Sequence, residues 1–123
     1  MNNTLIRFSE EGLRVRHKQS IEMVSEQNLL YTSESTAIVG RFEPVQQQFA
    51  VTLEEWDTFW SKTDLLDVWS WTTYYRLARD GGNWNLELQR GGRHVATSGR
   101  NARPDNYREF YRCLNQLVGG RLS

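Results

Sequence analysis

The sequence is poor in the residue types that build cross-links and metal sites. It contains one cysteine (Cys113) and two histidines (His17 and His94) among 123 residues. A single cysteine excludes an intramolecular disulfide and every zinc motif built on paired cysteines. We therefore expect no metal or other cofactor, and a reducing, cytoplasmic setting as the default location.

Net charge and long apolar runs are lacking as well. Fifteen basic residues balance fifteen acidic ones, so no overall field draws the chain to nucleic acid or anionic lipid. No apolar run approaches the roughly 20 residues that cross a bilayer. The N-terminal segment carries Arg7, Glu10 and Glu11, so it has no signal-peptide core. These absences predict no membrane association and argue against nucleic acid as a partner.

The length and composition that remain fit one small domain. Residues 1–123 fall within the size of a single domain, and 38% are hydrophobic, which is enough for one core. Aromatic residues make up 12% and include five tryptophans. Such residues hold a short chain together, and they also anchor binding surfaces, so composition leaves both uses open.

The first fifty residues predict short strands. Leu13, Val15 and His17 alternate with basic residues, a period of two that is typical of a sheet with one wet face. A turn is expected at residues 9–12. The predicted strands are residues 5–8, 13–17, 21–24, 36–42 and 47–51.

Two amphipathic helices are predicted, near residues 52–66 and 105–118. Thr52 and Glu55 form a capping box for the first. Asp105 is the expected cap of the second. These helices flank a predicted three-stranded meander, whose strands are residues 74–79, 84–88 and 93–98.

Runs of strands and helices, rather than their alternation, predict an α+β fold with an antiparallel sheet covered by both helices. Its core should be rich in aromatic and leucine side chains from the helices and the meander. The side chains expected to be buried are Trp56, Trp60, Trp84, Leu86, Leu88, Phe110 and Leu114.

Catalytic machinery is sparse in this sequence. It has no phosphate-binding loop, nucleophile elbow or zinc-binding helix motif. No histidine lies near Cys113 in the sequence to activate its thiol. We therefore predict that the protein is not an enzyme. The alternative is a small hydrolase or transferase that uses His94 or His17 with a distant carboxylate.

The neutral chain contains two oppositely charged stretches. Residues 90–112 carry six arginines and two acids, whereas residues 53–67 carry five acids and one lysine. The arginines could pair with Glu54, Glu55 and Asp57 within the fold, or form an exposed patch for an acidic partner. The patch is our prediction, with Asn101 at its centre and an exposed aromatic beside it. Its candidate residues are Arg90, Arg93, Arg100, Asn101, Arg103, Trp69, Trp71 and Tyr74.

One stretch resembles a pattern in small uncharacterised bacterial proteins. Residues 84–88 read W-x-L-x-L, residues 99–104 read G-x-N-x-x-P, and Tyr107 and Phe110 follow on the last helix. In the similar proteins the helix carries F-x-x-F. The resemblance covers about residues 80–118 and implies a strand–loop–helix unit, without an established activity.

The loop of this pattern also has a physical interpretation. Gly99 permits a turn, Asn101 can bond the backbone of its own loop, and Pro104 stiffens the entry to the helix. This interpretation requires no ligand.

Taken together, these features predict a non-enzymatic binding protein that acts by protein–protein interaction. Immunity proteins and inhibitors of toxin or defence proteins have this profile, so this expectation is an analogy with a class of proteins. A small enzyme is the second hypothesis. A nucleic-acid binder that uses the arginine-rich loop is the third hypothesis. It ranks last because the chain has no net positive charge.

Overall fold

A computed structural model describes residues 4–12, 17–35, 45–77 and 82–122. The predicted strand at residues 36–42 lies outside these ranges, as do residues 13–16 of another predicted strand. Within the described ranges the chain forms one seven-stranded sheet and two α-helices.

The sheet has the strand order β4-β3-β2-β1-β6-β7-β5. Its strands are β1 Leu5–Gly12, β2 His17–Ser25, β3 Asn28–Ser35, β4 Val45–Ala50, β5 Thr73–Tyr75, β6 Gly82–Arg90 and β7 Arg93–Arg100. The helices are α1 Leu53–Leu65 and α2 Tyr107–Leu117, and a short 3₁₀ helix spans Val68–Ser70. Neighbouring strands are antiparallel except β5 and β7. The predicted α+β class is confirmed.

Both helices pack on one face of the sheet. Burial alternates along β6, where Trp84, Leu86 and Leu88 are buried and the residues between them are more accessible. The two helices meet at Phe59 and Phe110, whose ring centroids are 5.8 Å apart. All seven side chains that the sequence placed in the core are buried.

The observed strands differ from the predictions most clearly at residues 9–12 and at β3. Residues 9–12 are not a turn but continue β1, because they pair with β2 on one side and β6 on the other. The strand β3 was not predicted at all. Its Leu29 and Tyr31 are buried in alternation, but an apolar Leu30 between them hides the period of two.

The predicted meander is wrong in its first strand. β5 pairs with β7, in parallel, and not with β6. The reason is that β6 already has β1 on one side and β7 on the other, so of the two hairpin strands β7 is the one with an edge that can accept β5. The hairpin of β6 and β7 itself is confirmed.

The two helix caps have different outcomes. The capping box of Thr52 and Glu55 is present, with both hydrogen bonds at 3.1 Å. Asp105, however, does not cap α2. The cap position is Asn106, whose side-chain amide donates to the Leu66 carbonyl and so ties α2 to the end of α1. Among the described residues, neither helix has the length and apolarity to cross a bilayer.

Candidate binding site

The predicted arginines are divided between the two ends of β7. Arg90 pairs with Arg93 across the hairpin turn, whereas Arg100 ends β7 and Arg103 lies in the loop beyond it. Arg93 and Arg100 are seven residue steps apart along β7, which is roughly 23 Å at 3.3 Å per step. We call residues 90–93 the turn end of the hairpin and residues 99–104 its loop end. The four arginines do not form one patch.

At the turn end, both arginines lie against tryptophan rings. Arg90 lies two residues after the buried Leu88, and Arg93 lies two residues before the buried Val95. Alternate residues of a strand point to the same face, so both arginines project on the face that the helices cover. The guanidinium carbon of Arg90 is 5.1 Å from the centroid of Trp60, and that of Arg93 is 5.9 Å from the centroid of Trp69. Both distances are within the range of a cation–π contact.

One carboxylate organises this surface. The Trp69 indole donates to Asp64 Oδ1 at 2.8 Å, and the Arg93 guanidinium donates to the same oxygen at 3.0 Å. Trp69 also stacks on Trp60, with centroids 6.1 Å apart and ring planes 12° from parallel. We call these five residues the Arg–Trp cluster: Trp60, Asp64, Trp69, Arg90 and Arg93.

The local fold explains how the cluster forms. Trp60 and Asp64 are four residues apart in α1 and therefore share one helix face. Asp67, at a left-handed φ of 51°, turns the chain back so that the 3₁₀ helix brings Trp69 beside that face. Sequence reasoning did not assign Trp60 and Asp64 to a binding site. The helical spacing of the pair was the signal that could have found them.

The cluster is held in place but remains accessible. The side chains of Arg93 and Asp64 are 63% and 51% exposed, while Trp60 is buried beneath them. Trp69 is partly buried and Arg90 is exposed. With two arginines and one aspartate, the surface has a net charge of +1.

The loop end has a different construction. Gly99 lies opposite Trp84, and a Cβ at Gly99 would overlap the indole nitrogen and the Ala102 carbonyl. The indole donates to that carbonyl at 2.9 Å. The W-x-L-x-L strand and the G-x-N-x-x-P loop are thus parts of one packed unit.

Asn101 joins three segments at the loop end. It has a left-handed φ of 60°, its backbone N–H donates to Gly82 O at 3.0 Å, and its side-chain amide donates to Arg76 O at 2.9 Å. The amide therefore bonds the chain that follows β5, and not the backbone of its own loop. Asn101 is partly buried, so it is not the centre of an exposed patch. The exposed Arg100 projects from the opposite face of the sheet, because its neighbour Gly99 faces the core.

The other predicted aromatic anchors lie in or near the core. Trp71 is only 6% exposed, because it packs against Trp84, Tyr107 and Phe110, so the expectation that it is exposed is wrong. Tyr74 is partly buried and stacks on Trp84 at 6.1 Å. Of the three candidates, Trp69 is the one whose ring makes a cation–π contact with an arginine in the described structure.

A cleft of about 370 Å³ lies next to the loop end. The guanidinium carbon of Arg103 is 5.1 Å from the centroid of the Tyr107 ring. The Tyr111 hydroxyl donates to Glu10 Oε1 at 2.7 Å. Burial, and then the charge of Glu10, raises the pKa of Tyr107 above its usual value of 10.0. Burial and the hydrogen bond to Glu10 likewise raise the pKa of Tyr111. Both hydroxyls therefore keep their protons at neutral pH.

The two histidines of the alternative enzyme hypothesis are far apart. His17 and His94 lie beside opposite ends of β1. His17 pairs with Gly12, the last residue of β1, whereas His94 pairs with Gln89, which in turn pairs with Leu5 at the start of β1. His94 contacts Glu87 at 2.9 Å on the face opposite the helices, whereas Cys113 belongs to α2 on the helix face. Burial raises the pKa of the Cys113 thiol. The described residues contain no group of three or more His, Cys, Asp and Glu side chains that could hold a metal ion.

Comparison of the chain with protein-family models and with curated proteins finds no match. The resemblance of residues 80–118 and the prediction that the protein is not an enzyme both stay predictions.

Proposed function

We propose that this chain is a non-enzymatic binding protein that acts by protein–protein contact, and that the Arg–Trp cluster is its contact surface. The observation that carries the proposal is the arrangement of Arg90 and Arg93 on the rings of Trp60 and Trp69 at an accessible edge of the fold. Tryptophan and arginine are the residue types that most often dominate the energy of an interface.

Pre-organisation favours this surface over other charged parts of the chain. Ordering a long side chain on binding costs about 0.5–1.5 kcal/mol. In the cluster, the contact with the Trp69 ring and the bond to Asp64 already restrict Arg93 before any partner arrives. Arginine has five N–H donors, so Arg93 can still offer hydrogen bonds to a partner's carboxylate.

The chemistry of the cluster indicates the kind of partner. Two guanidinium groups and one partly buried indole fit an acidic surface that also presents a flat apolar or aromatic group. A toxin or defence protein blocked by a small immunity protein or inhibitor is a partner of this class. That assignment follows the analogy drawn from the small size, the sparse catalytic groups, the segregated charge and the aromatic content of the chain.

Site-specific photo-crosslinking tests the proposal in the cells that naturally produce the protein. Benzoylphenylalanine is introduced at Gly92, beside the cluster, where a Cβ would meet no atom within 4 Å. The matched position is Arg100, exposed at the other end of β7. We expect a covalent adduct with one partner from position 92 and little or none from position 100.

The adduct should also depend on the cluster itself. Adding Arg93→Glu to the Gly92 variant should reduce the yield, because it removes the guanidinium and places a negative charge beside Asp64. An adduct that forms mainly from position 100, or one that ignores Arg93→Glu, would contradict the proposal.

A further inference from the structure

The two edges of the sheet are protected differently. β5 is only three residues long. β4 has six residues, and among its side chains there is no charge and no proline. Proteins usually protect an exposed edge with charge, proline, a bulge or a short strand. The register of β4 with β3 is regular throughout, so β4 has none of these devices.

The hydrogen-bonding direction of β4 follows from its register. Val51 donates to Gln27 O at 2.7 Å, and these two residues lie opposite each other when the β3–β4 register is extended. Hydrogen-bonded pairs alternate with non-bonded pairs in an antiparallel ladder. The backbone groups of residues 45, 47 and 49 therefore face β3. Those of Gln46, Gln48 and Ala50 face away from the sheet, toward no other strand of the described residues.

We propose that β4 is the interface of a symmetric dimer, in which it pairs antiparallel with β4 of a second copy about a two-fold axis at Gln48. In this register Gln48 faces Gln48 of the second copy, and Gln46 faces its Ala50. Every outward N–H and C=O of the three residues then has a partner, which gives six hydrogen bonds from three bonded pairs. The match is self-complementary, as a two-fold interface requires.

The side chains of β4 also favour a second copy. The Gln48 amide carries both donors and an acceptor, so two such groups can bond each other across the axis. Val45, which is 65% exposed, would lie opposite Val51 of the second copy. Because β4 carries no charge, two copies meet without repulsion. Such a dimer is closed, because each copy uses its β4 edge in the interface and no β4 edge stays free for a third copy.

Disulfide trapping tests the register directly. In a Cys113→Ser background the chain has no other cysteine. Bonded pairs in an antiparallel ladder have Cα atoms about 5.5 Å apart, a distance that a disulfide can span. Gln48→Cys should therefore form a dimer under mild oxidation. Gln47→Cys is the matched control, because residue 47 lies opposite residue 49 of the second copy and should cross-link far less.

Analytical ultracentrifugation tests the dimer without a cross-link. Gln48→Pro removes an outward N–H that β3 does not use, so the fold should persist while the dimer dissociation constant rises by more than about tenfold. Gln48→Lys and Gln48→Glu should each dissociate alone, because like charges meet at the axis. An equal mixture of these two variants should associate again.

Three results would overturn the inference. The wild-type protein could be a monomer at every concentration that stays in solution. Its dimer could survive Gln48→Pro unchanged. Finally, Gln47→Cys could cross-link as well as Gln48→Cys.

Discussion

At the turn end of the β6–β7 hairpin, Arg90 and Arg93 lie on tryptophan rings at the protein surface. At the loop end, Asn101 and the Trp84 indole direct their polar groups to backbone carbonyls and hold three chain segments together. Both ends are rich in residues typical of binding sites. The two ends differ in what their polar groups already bind. Polar groups that bond the backbone of the fold cannot bind a partner without a loss of stability.

The comparison predicts that the largest effect on stability comes from Gly99→Ala. The added Cβ overlaps the Trp84 indole and the Ala102 carbonyl, so strand and loop must move apart. We expect the free energy of unfolding, measured in urea, to fall by about 3 kcal/mol. Gly92→Ala at the turn end is the control and should change it by less than about 0.5 kcal/mol. A loss below about 1 kcal/mol at Gly99 would show that the loop end is not tightly packed.

Asn101→Ala should have the next largest effect. It removes the hydrogen bond to Arg76 O and leaves a non-glycine residue at a left-handed φ, so we expect a loss of about 2–3 kcal/mol. Asn101→Gly loses the same bond but tolerates the φ, and it should be less damaging by about 1 kcal/mol. Equal losses in the two variants would mean that backbone strain contributes nothing here.

Alkaline pH should destabilise the fold through Tyr107. Its folded pKa is raised, so above pH 10 the unfolded chain releases this proton before the folded one does. The stabilisation is therefore complete below pH 10 and is lost as pH rises, by at most about 1.4 kcal/mol per pH unit. Urea unfolding at a series of pH values measures the slope. The series runs from roughly pH 8 to roughly pH 11.5, so that it brackets the usual tyrosine pKa of about 10.

Tyr107→Phe is the matched variant for this pH series. The Tyr107 hydroxyl is buried and has no hydrogen-bond partner of good geometry among the described residues, although Glu10 is close enough to influence its pKa. Removing it should leave stability at pH 7 unchanged or slightly higher. The alkaline slope should become shallower. An unchanged slope would assign the effect to other groups.

The smallest effect is expected at the turn end. Arg93→Ala removes an ion pair and a ring contact whose partners are all at least partly accessible. Exposed pairs of this kind contribute about 0–1 kcal/mol, so the melting temperature should change little. Asp64→Asn keeps an acceptor for Trp69 and should also be mild. A loss above about 2 kcal/mol in either variant would make the cluster a structural feature.

Local patterns explain how far the fold could be predicted. The capping box of Thr52 and the alternation of Trp84, Leu86 and Leu88 depend on nearby residues, and both predictions were correct. The parallel pairing of β5 was not predictable, because it depends on which sheet edge remains free. Strand pairing joins residues far apart in the chain, and no local period records it.

The candidate binding site was predictable only in part. A count of charges selected Arg90 and Arg93, and the aromatic content selected Trp69. Neither count indicates that Arg100 lies at the far end of β7, since this depends on strand length and register. Asp64 was counted among the acids of its stretch, but its bonds to both Trp69 and Arg93 come from the packing of the hairpin on α1.

In the proposed function, the turn end of the hairpin binds the partner and the loop end does not. Isothermal titration of the purified partner with two double variants, Arg90→Glu/Arg93→Glu and Arg100→Glu/Arg103→Glu, tests it most directly. We expect the first double variant to weaken binding by more than tenfold, about 1.4 kcal/mol, while the free energy of unfolding changes by less than about 1 kcal/mol. The second should leave the affinity within about threefold of the wild type. A first variant that loses stability and keeps its affinity, or a second variant that loses more affinity than the first, would contradict the claim.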